Sequence, residues 1–538
     1  MFTRIRQVFS SRGAYELVAE TEDHAIRRAP TFAESTLRRV PAAVPLIAHL
    51  LAFVEFAERA SYYGVSGVFA NFVQRPLPPG STTGAPAKGS DTPPGALGMG
   101  LRASATVSAL FTVMAFASPL VGGALADVRW GKFRTIAVGT AVSGAAHVLC
   151  VWAAIPSVLL SGTAFLPFII SVILLGGATG LIKANIAPLM GQQYVHEDYV
   201  ATVDGERVVV EREATVQKIM AAYYLSINVG AFFAVASTFA EKYVGFWLAY
   251  LIPGVIFFLM PPLLYFVNPY LEPEPAPSSA ALRDAYHILR RAVKGEPPSA
   301  AEYELTSDDE VRHGVEPKGG DVKQALLACK LFLFFAIYNI ADGGLNTIMT
   351  SMAGAMTTNG VPNDFLEKAN PFAIVLAIPL LNKFVYPFLE ARNIPHGPVR
   401  RIVAGFILAA AGMLWCALLQ FAVYRTSPCG FEATTCEEVS PLSAWLVLPA
   451  PLLTGASEAI ACVSALELAF TMSPPGLRSI VTSLFLFTQA ISAILVLAFL
   501  PLMHDPLLVW TFLLAAVLTL GAAAGVWRMF QFLDDERT

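Results

Sequence analysis

Three ionisable side chains, Glu55, Glu58 and Arg59, fall within five residues of an apolar stretch, and Tyr62 and Ser66 continue the series. Offsets of three, four, seven and eleven residues from Glu55 put all five on one face of a helix. A charge at mid-membrane costs about 2.5 to 3.5 kcal/mol on insertion scales, so three so close together need partners or a water-filled cavity. Carboxylates beside a guanidinium in such a cavity can exchange a proton against a fixed positive charge. The alternative is a static Glu–Arg pair that locks helices together, chiefly for one of the two glutamates.

Other polar groups recur inside apolar stretches. In GGATGLIKANIAPLMG, Gly176 and Gly180 form a small-xxx-small step that admits a second helix closely, and Lys183 follows on nearly the same face. Lys183 is expected to reach a carboxylate; the competing reading is a lysine snorkelling to the interface. In YYLSINVGAFF, Tyr223, Tyr224 and Asn228 suit substrate contacts or helix-to-helix hydrogen bonding, the latter favoured for Asn228. Further on, Asn339, Asp342, Gly343 and Asn346 share a face, and Ser457 and Glu458 sit about fifteen residues into another apolar stretch, near mid-membrane. With Arg59 and Lys183 on one side and Glu458 on the other, the pattern suits a zwitterion, its carboxylate near the bases and its ammonium near Glu458. Glu467, nine residues on, turns to another side of its helix and is expected to pack or gate.

These groups need a scaffold, and composition indicates which. The 538-residue chain is 55% hydrophobic and 14% charged, with a mean hydropathy of +0.58, too apolar for soluble domains of ordinary size. Windows long enough to cross ~30 Å of hydrocarbon recur near 45–72, 103–127, 134–155, 163–190, 216–240 and 244–268, then near 325–356, 370–391, 400–424, 443–473, 479–502 and 507–532. The expectation is an all-α polytopic membrane protein with twelve transmembrane helices in two six-helix bundles. It divides into a tail at 1–44, a bundle at 45–270, a linker at 271–323 and a second bundle at 324–535. Within the linker, 280–294 has helical spacing and suits either the membrane surface or solvent. The stretch 73–102, rich in Pro, Gly, Ser and Thr, reads as a flexible outer loop. A faint repeat, Pro119-Leu120 and Pro379-Leu380, each ahead of a basic turn, supports two related halves.

Lys and Arg cluster in the N-terminal tail, in the turn at Arg129, Lys132 and Arg134, and in the loop at Arg392, Arg400 and Arg401, so both termini are expected in the cytoplasm. The first forty residues lack an apolar stretch, so the first span is expected to serve as the targeting signal. The loop holding Glu432, Glu437 and Glu438 falls outside; it also carries Cys429 and Cys436, where a disulfide is favoured over free thiols. A net charge of −4 excludes a nucleic-acid footprint. No nucleophile, metal cluster or phosphate loop stands out, so neither an enzyme nor a cofactor is expected.

EFAERASYYG (55–64), GALADVRWGKFR (123–134), GLIKAN and YYLSINVGA resemble the signatures of the proton-dependent oligopeptide transporter family, in particular its fungal branch, within the major facilitator superfamily. The resemblance spans nearly the whole chain. It implies the major facilitator fold and a monomer in the lipid bilayer, in the plasma membrane, that carries di- and tripeptides with protons by alternating access. Carried over, it makes Glu55 and Glu58 proton-linked carboxylates, Arg59 and Lys183 their partners and peptide-carboxylate contacts, and Glu458 the contact for the peptide amino group. Tyr62, Tyr224, Asn228, Asn339 and Asp342 join the substrate set, and Gly123, Asp127 and Gly131 become gate residues. The chain departs from the family where a basic residue is Ser66, a helix-seven acid is Asn339, a helix-two tyrosine is Phe116 and an aromatic is Ala60. Asp342, one turn from the lost acid, then takes a new role. The rivals are a carrier of the same fold for nitrate or a small organic acid, and a peptide receptor that moves nothing.

Overall fold

The computed structural model describes residues 37–203, 206–273, 321–436, 438–472 and 478–535. The tail to residue 36, most of the expected linker and its 280–294 segment lie outside the described residues. Lipid offers no hydrogen-bond partner to a peptide group, so each apolar stretch satisfies its backbone internally as a helix. The helices are α1 (Leu46–Ser66), α2 (Gly100–Trp130), α3 (Lys132–Ala153), α4 (Phe165–Gln192), α5 (Arg212–Tyr243), α6 (Phe246–Tyr270), α7 (Lys330–Ala353), α8 (Leu366–Ala391), α9 (Pro398–Thr426), α10 (Ala444–Leu468), α11 (Arg478–Leu497) and α12 (Leu508–Phe530). Among the described residues, ten of these are long and apolar enough to cross a membrane; α1 has the length but carries three charges. Large side chains such as Leu166, Leu376, Leu418 and Trp510 are left exposed on the outside of the bundle, as a lipid-facing surface requires.

Most core packing lies within each half, and Leu101 and Ala105 of α2 join the core of the second. In the first, α4 lies against α2 and α3, and α1 against α5 and α6; in the second, α9 lies against α10 and α12, and α7 against α11. Glycines set the tightest crossings. A Cβ on Gly180 would stand 2.0 Å from Ser118 Oγ and 2.4 Å from Pro119 N, and one on Gly176 2.8 Å from Met114 Cβ, so the small-residue step of α4 receives α2. A Cβ on Gly230 of α5 would stand 2.7 Å from Arg59 Cβ and 3.0 Å from Ala60 N, which seats α5 directly on the ionisable face of α1. The internal repeat also has a structural form: Pro119 and Pro379 each lie inside a helix, and a wide π-type turn follows, at Ala126–Trp130 and Leu381–Val385.

Two features depart from the sequence reading. The stretch 73–102 is not a loose loop. Pro76 bridges to Ala96 and Leu97, and Asp91 accepts from the Thr358 amide (3.0 Å), the Thr358 hydroxyl (2.8 Å) and the Asn359 amide (2.9 Å) of the other half. Its prolines and glycines shape a fixed strap rather than confer freedom. The other surprise is a small sheet at the opposite end, where β1 (Arg39–Val40) runs parallel to β3 (Glu206–Val210), which pairs antiparallel with β2 (Tyr199–Val203). An Arg39–Glu211 ion pair closes it.

Candidate functional site

A cavity of about 700 Å³ lies between the halves. Its first-half wall includes Tyr62 and Tyr63 of α1, Phe116 of α2, and Tyr224 and Asn228 of α5; the second-half wall includes Asn339 and Asp342 of α7, Asn370 of α8 and Glu458 of α10. Tyr224 is 49% exposed, whereas Tyr62 is buried.

Glu55, Glu58 and Arg59 share one face, as the helical spacing predicts, and are at most 3% exposed. Arg59 Nε stands 3.2 Å from Glu55 Oε1, and the guanidinium also pairs with Glu58. These three do not line the cavity. The guanidinium carbon lies 5.1 Å from the centre of the Tyr62 ring, and it is Tyr62 that faces the open space. Lys183 departs from its expected position too: among the described residues no carboxylate oxygen comes within salt-bridge reach, and its ammonium sits 3.9 Å from the centre of the Phe116 ring. A cation over an aromatic face keeps part of its stabilisation without an anion. Arg59 and Lys183 thus stand one aromatic layer behind the wall where they were expected to meet substrate.

On the opposite wall, α7 is not a continuous helix. Asp342 (φ −95°, ψ 79°) and Gly343 (φ +96°) leave helical geometry, a break that only glycine makes without strain, and the break leaves Asp342 on the cavity wall. The Tyr338 hydroxyl and Ser457 Oγ are 2.9 Å apart, and Ser457 donates to Gly405 O at 2.6 Å, tying α7, α9 and α10 together beside Asp342 and Glu458. Asn339 donates to Thr488 Oγ1 at 3.2 Å. Asn228 was expected to join helices; its amide instead donates to the Tyr224 carbonyl of its own helix at 2.8 Å while the residue lines the cavity. Glu467 pairs with Arg401 at 3.2 Å. In the last turns of α2 Asp127 is exposed and a Cβ on Gly123 would meet only Ala184, at 4.0 Å; Gly131, between α2 and α3, takes φ +76°. Cys429 and Cys436 are joined, with Cα atoms 5.9 Å apart.

Several groups were not anticipated from sequence. The halves are tied at the end of the molecule where α1 terminates. There Asn71, itself held by a hydrogen bond to Glu241 of α5 (2.6 Å), exchanges hydrogen bonds with Asn363 of the second half (2.9 Å), Gln74 donates to Ser351 (2.6 Å), and Tyr243 donates to Gly360 O (2.6 Å). Asp364, fully buried beside Glu241, has its carboxyl lifted to about 7, chiefly by burial. Lys368 pairs with Glu367 on the cavity wall, and a Cβ on Gly67 would stand 3.3 Å from Lys368 Nζ. Ser61 Oγ and His147 Nε2 are 2.6 Å apart in the first-half core. A lone histidine in an apolar span was the available signal for His147; Asn71, Gln74 and Tyr243 lie in loops or at helix ends and their cross-half partners are remote in sequence.

Two packed helical halves with a central cavity between them, tied at one end, define a multi-pass membrane carrier of the major facilitator fold. Solved structures share it: a POT family transporter, PepTSo, superposes with a TM-score of 0.67 at 18% identity over 91% of this chain and 98% of its own, and an auto-inhibited POT family peptide transporter with 0.67 at 17% over 90% and 97%. The POT family model matches residues 133–294 and 297–513, and the chain belongs to that family of transporters. Among curated relatives, the MFS-type transporter ucsM of an Acremonium species is 42% identical over 92% of this chain and 85% of its own length. The peptide transporter PTR2 of Candida albicans is 36% identical over 95% and 86%, and that of Saccharomyces cerevisiae 31% over 98% and 86%.

Proposed function

We propose that the protein is a proton-coupled symporter of di- and tripeptides that works by alternating access, in a plasma membrane with both termini in the cytoplasm. In that orientation the tied end faces outward and the cavity opens inward. The observation that carries the reading is the relation between the two walls: Glu458 faces the cavity, while Arg59 is held out of it by Glu55 and Glu58, one ring behind Tyr62. Protonating either glutamate removes half of the negative charge that restrains the guanidinium. Arg59 is then free to move past Tyr62 and meet a peptide carboxylate, while Glu458 takes the amino end. Proton and peptide binding thereby favour the same rearrangement, which is thermodynamic coupling. The names of the fungal relatives support the cargo.

The carriage of another solute in the same fold has one observation in its favour, since the Acremonium relative's name specifies no substrate. Plain anions such as nitrate fit poorly, because Asp342 and Glu458 on the cavity wall repel them. Uptake of labelled dipeptide into proteoliposomes at several external pH values tests the proposal. An inward proton gradient is expected to drive accumulation; uptake indifferent to the gradient, or tight binding without flux, overturns symport.

A further inference from the structure

Among the described residues, the charged side chains that line the cavity are Asp342, Glu367, Lys368 and Glu458. Lys368 is ion-paired to Glu367, so that couple cancels. Asp342 and Glu458 remain, on neighbouring helices of one wall and near enough for their charges to act on each other. The described residues supply no base to answer them: Arg59 is held by two glutamates, and Lys183 lies on Phe116. Asp342 is 8% exposed, and its polar neighbours, Tyr338 and Asn370, are neutral. The break at Gly343 is what leaves this acid on the cavity wall, so the backbone itself is arranged to display it.

We propose that Asp342 and Glu458 form a two-carboxylate subsite that selects cargo with two cationic nitrogens, and that Asp342 is the specificity-determining residue. The inference rests on the peptide reading and narrows it. A neutral dipeptide brings one ammonium, which Glu458 takes, and leaves Asp342 desolvated without a counter-charge, an arrangement that disfavours binding. A dipeptide with a lysine side chain brings a second ammonium and answers both acids. Asp-Ala adds a third negative group and is rejected.

The test measures ligand-induced thermal stabilisation of the purified, detergent-solubilised full chain at one fixed pH, titrated with Ala-Ala, Lys-Ala, Asp-Ala and the diamine cadaverine. The wild type is expected to bind Lys-Ala at least tenfold more tightly than Ala-Ala. Asp342→Asn, which keeps shape and hydrogen bonding, is expected to bring the two within about twofold by weakening Lys-Ala and not Ala-Ala. Equal affinity of the wild type for Ala-Ala and Lys-Ala overturns the subsite and leaves the peptide reading standing, and this comparison needs no variant. An equal loss for both ligands in Asp342→Asn also overturns it. Cadaverine binding that depends on Asp342, with no peptide bound, supports the subsite and overturns the peptide reading. Binding of none of the four overturns both.

Discussion

Replacing Arg59 with Met keeps the length and apolar stem of the side chain and removes its charge from a site at most 3% exposed. At the 3.2 Å separation from Glu55, an effective dielectric of about 20 gives roughly 5 kcal/mol of attraction for one ion pair. Part of that offsets the desolvation of the ions, yet removing one partner strands the other, and breaking buried pairs costs about 3 to 5 kcal/mol. Here two carboxylates are stranded together, so Arg59→Met is expected to lose at least about 3 kcal/mol in equilibrium unfolding by rising SDS in mixed micelles, and to abolish uptake. Adding Glu58→Gln to Arg59→Met removes one stranded charge and is expected to recover about half of the loss. A single variant within about 1 kcal/mol of wild type, or a double variant less stable than the single, would show that the three groups do not act as a charge-compensated unit. The proposed release of Arg59 by protonation would fall with it.

Asp364 links the tied end to pH. Its carboxyl is lifted to about 7 in the sealed arrangement, above its usual range, so the sealed form binds the proton more tightly than an opened, hydrated one. Its stabilisation is therefore full at acid pH and is lost as pH rises from about 4 through 7. Paired spin labels at the exposed Lys88 and Thr435, on the two halves, are expected to show longer distances at pH 8 than at pH 5, and Asp364→Asn to flatten that change; a distance independent of pH in the unmodified seal refutes it. Gly180→Leu is expected to destabilise the fold by more than about 3 kcal/mol, beyond ordinary overpacking, because even a Cβ there would stand 2.4 Å from backbone atoms of α2. Gly521→Leu, where a Cβ would meet nothing, serves as the control; equal melting temperatures for the two would sink the close-crossing argument.

The ion cluster was legible in the sequence because it is local: Glu55, Glu58 and Arg59 lie within one helical turn, and the 3.6-residue period puts them together whatever else the chain does. Gly176 and Gly180 were legible for the same reason. Lys183 was not, since its choice between a carboxylate on α1 and the Phe116 ring on α2 depends on how three helices cross. The 73–102 strap shows the limit of composition. Proline and glycine indicate turns equally in a loose loop and in a fixed one, and only Asp91 meeting Thr358 and Asn359 across the halves distinguishes them.

By itself the sequence determined the solvent, the number of spans and the face of α1 on which the charges lie, because hydropathy and helical period act within one segment and need no partner. Only the tertiary structure decided which of those charges meets open space. Tyr62 and Phe116 screen the bases, while a broken turn at Gly343 leaves Asp342 on the cavity wall, and the balance of charge in the cavity follows from how separate helices cross rather than from any one of them.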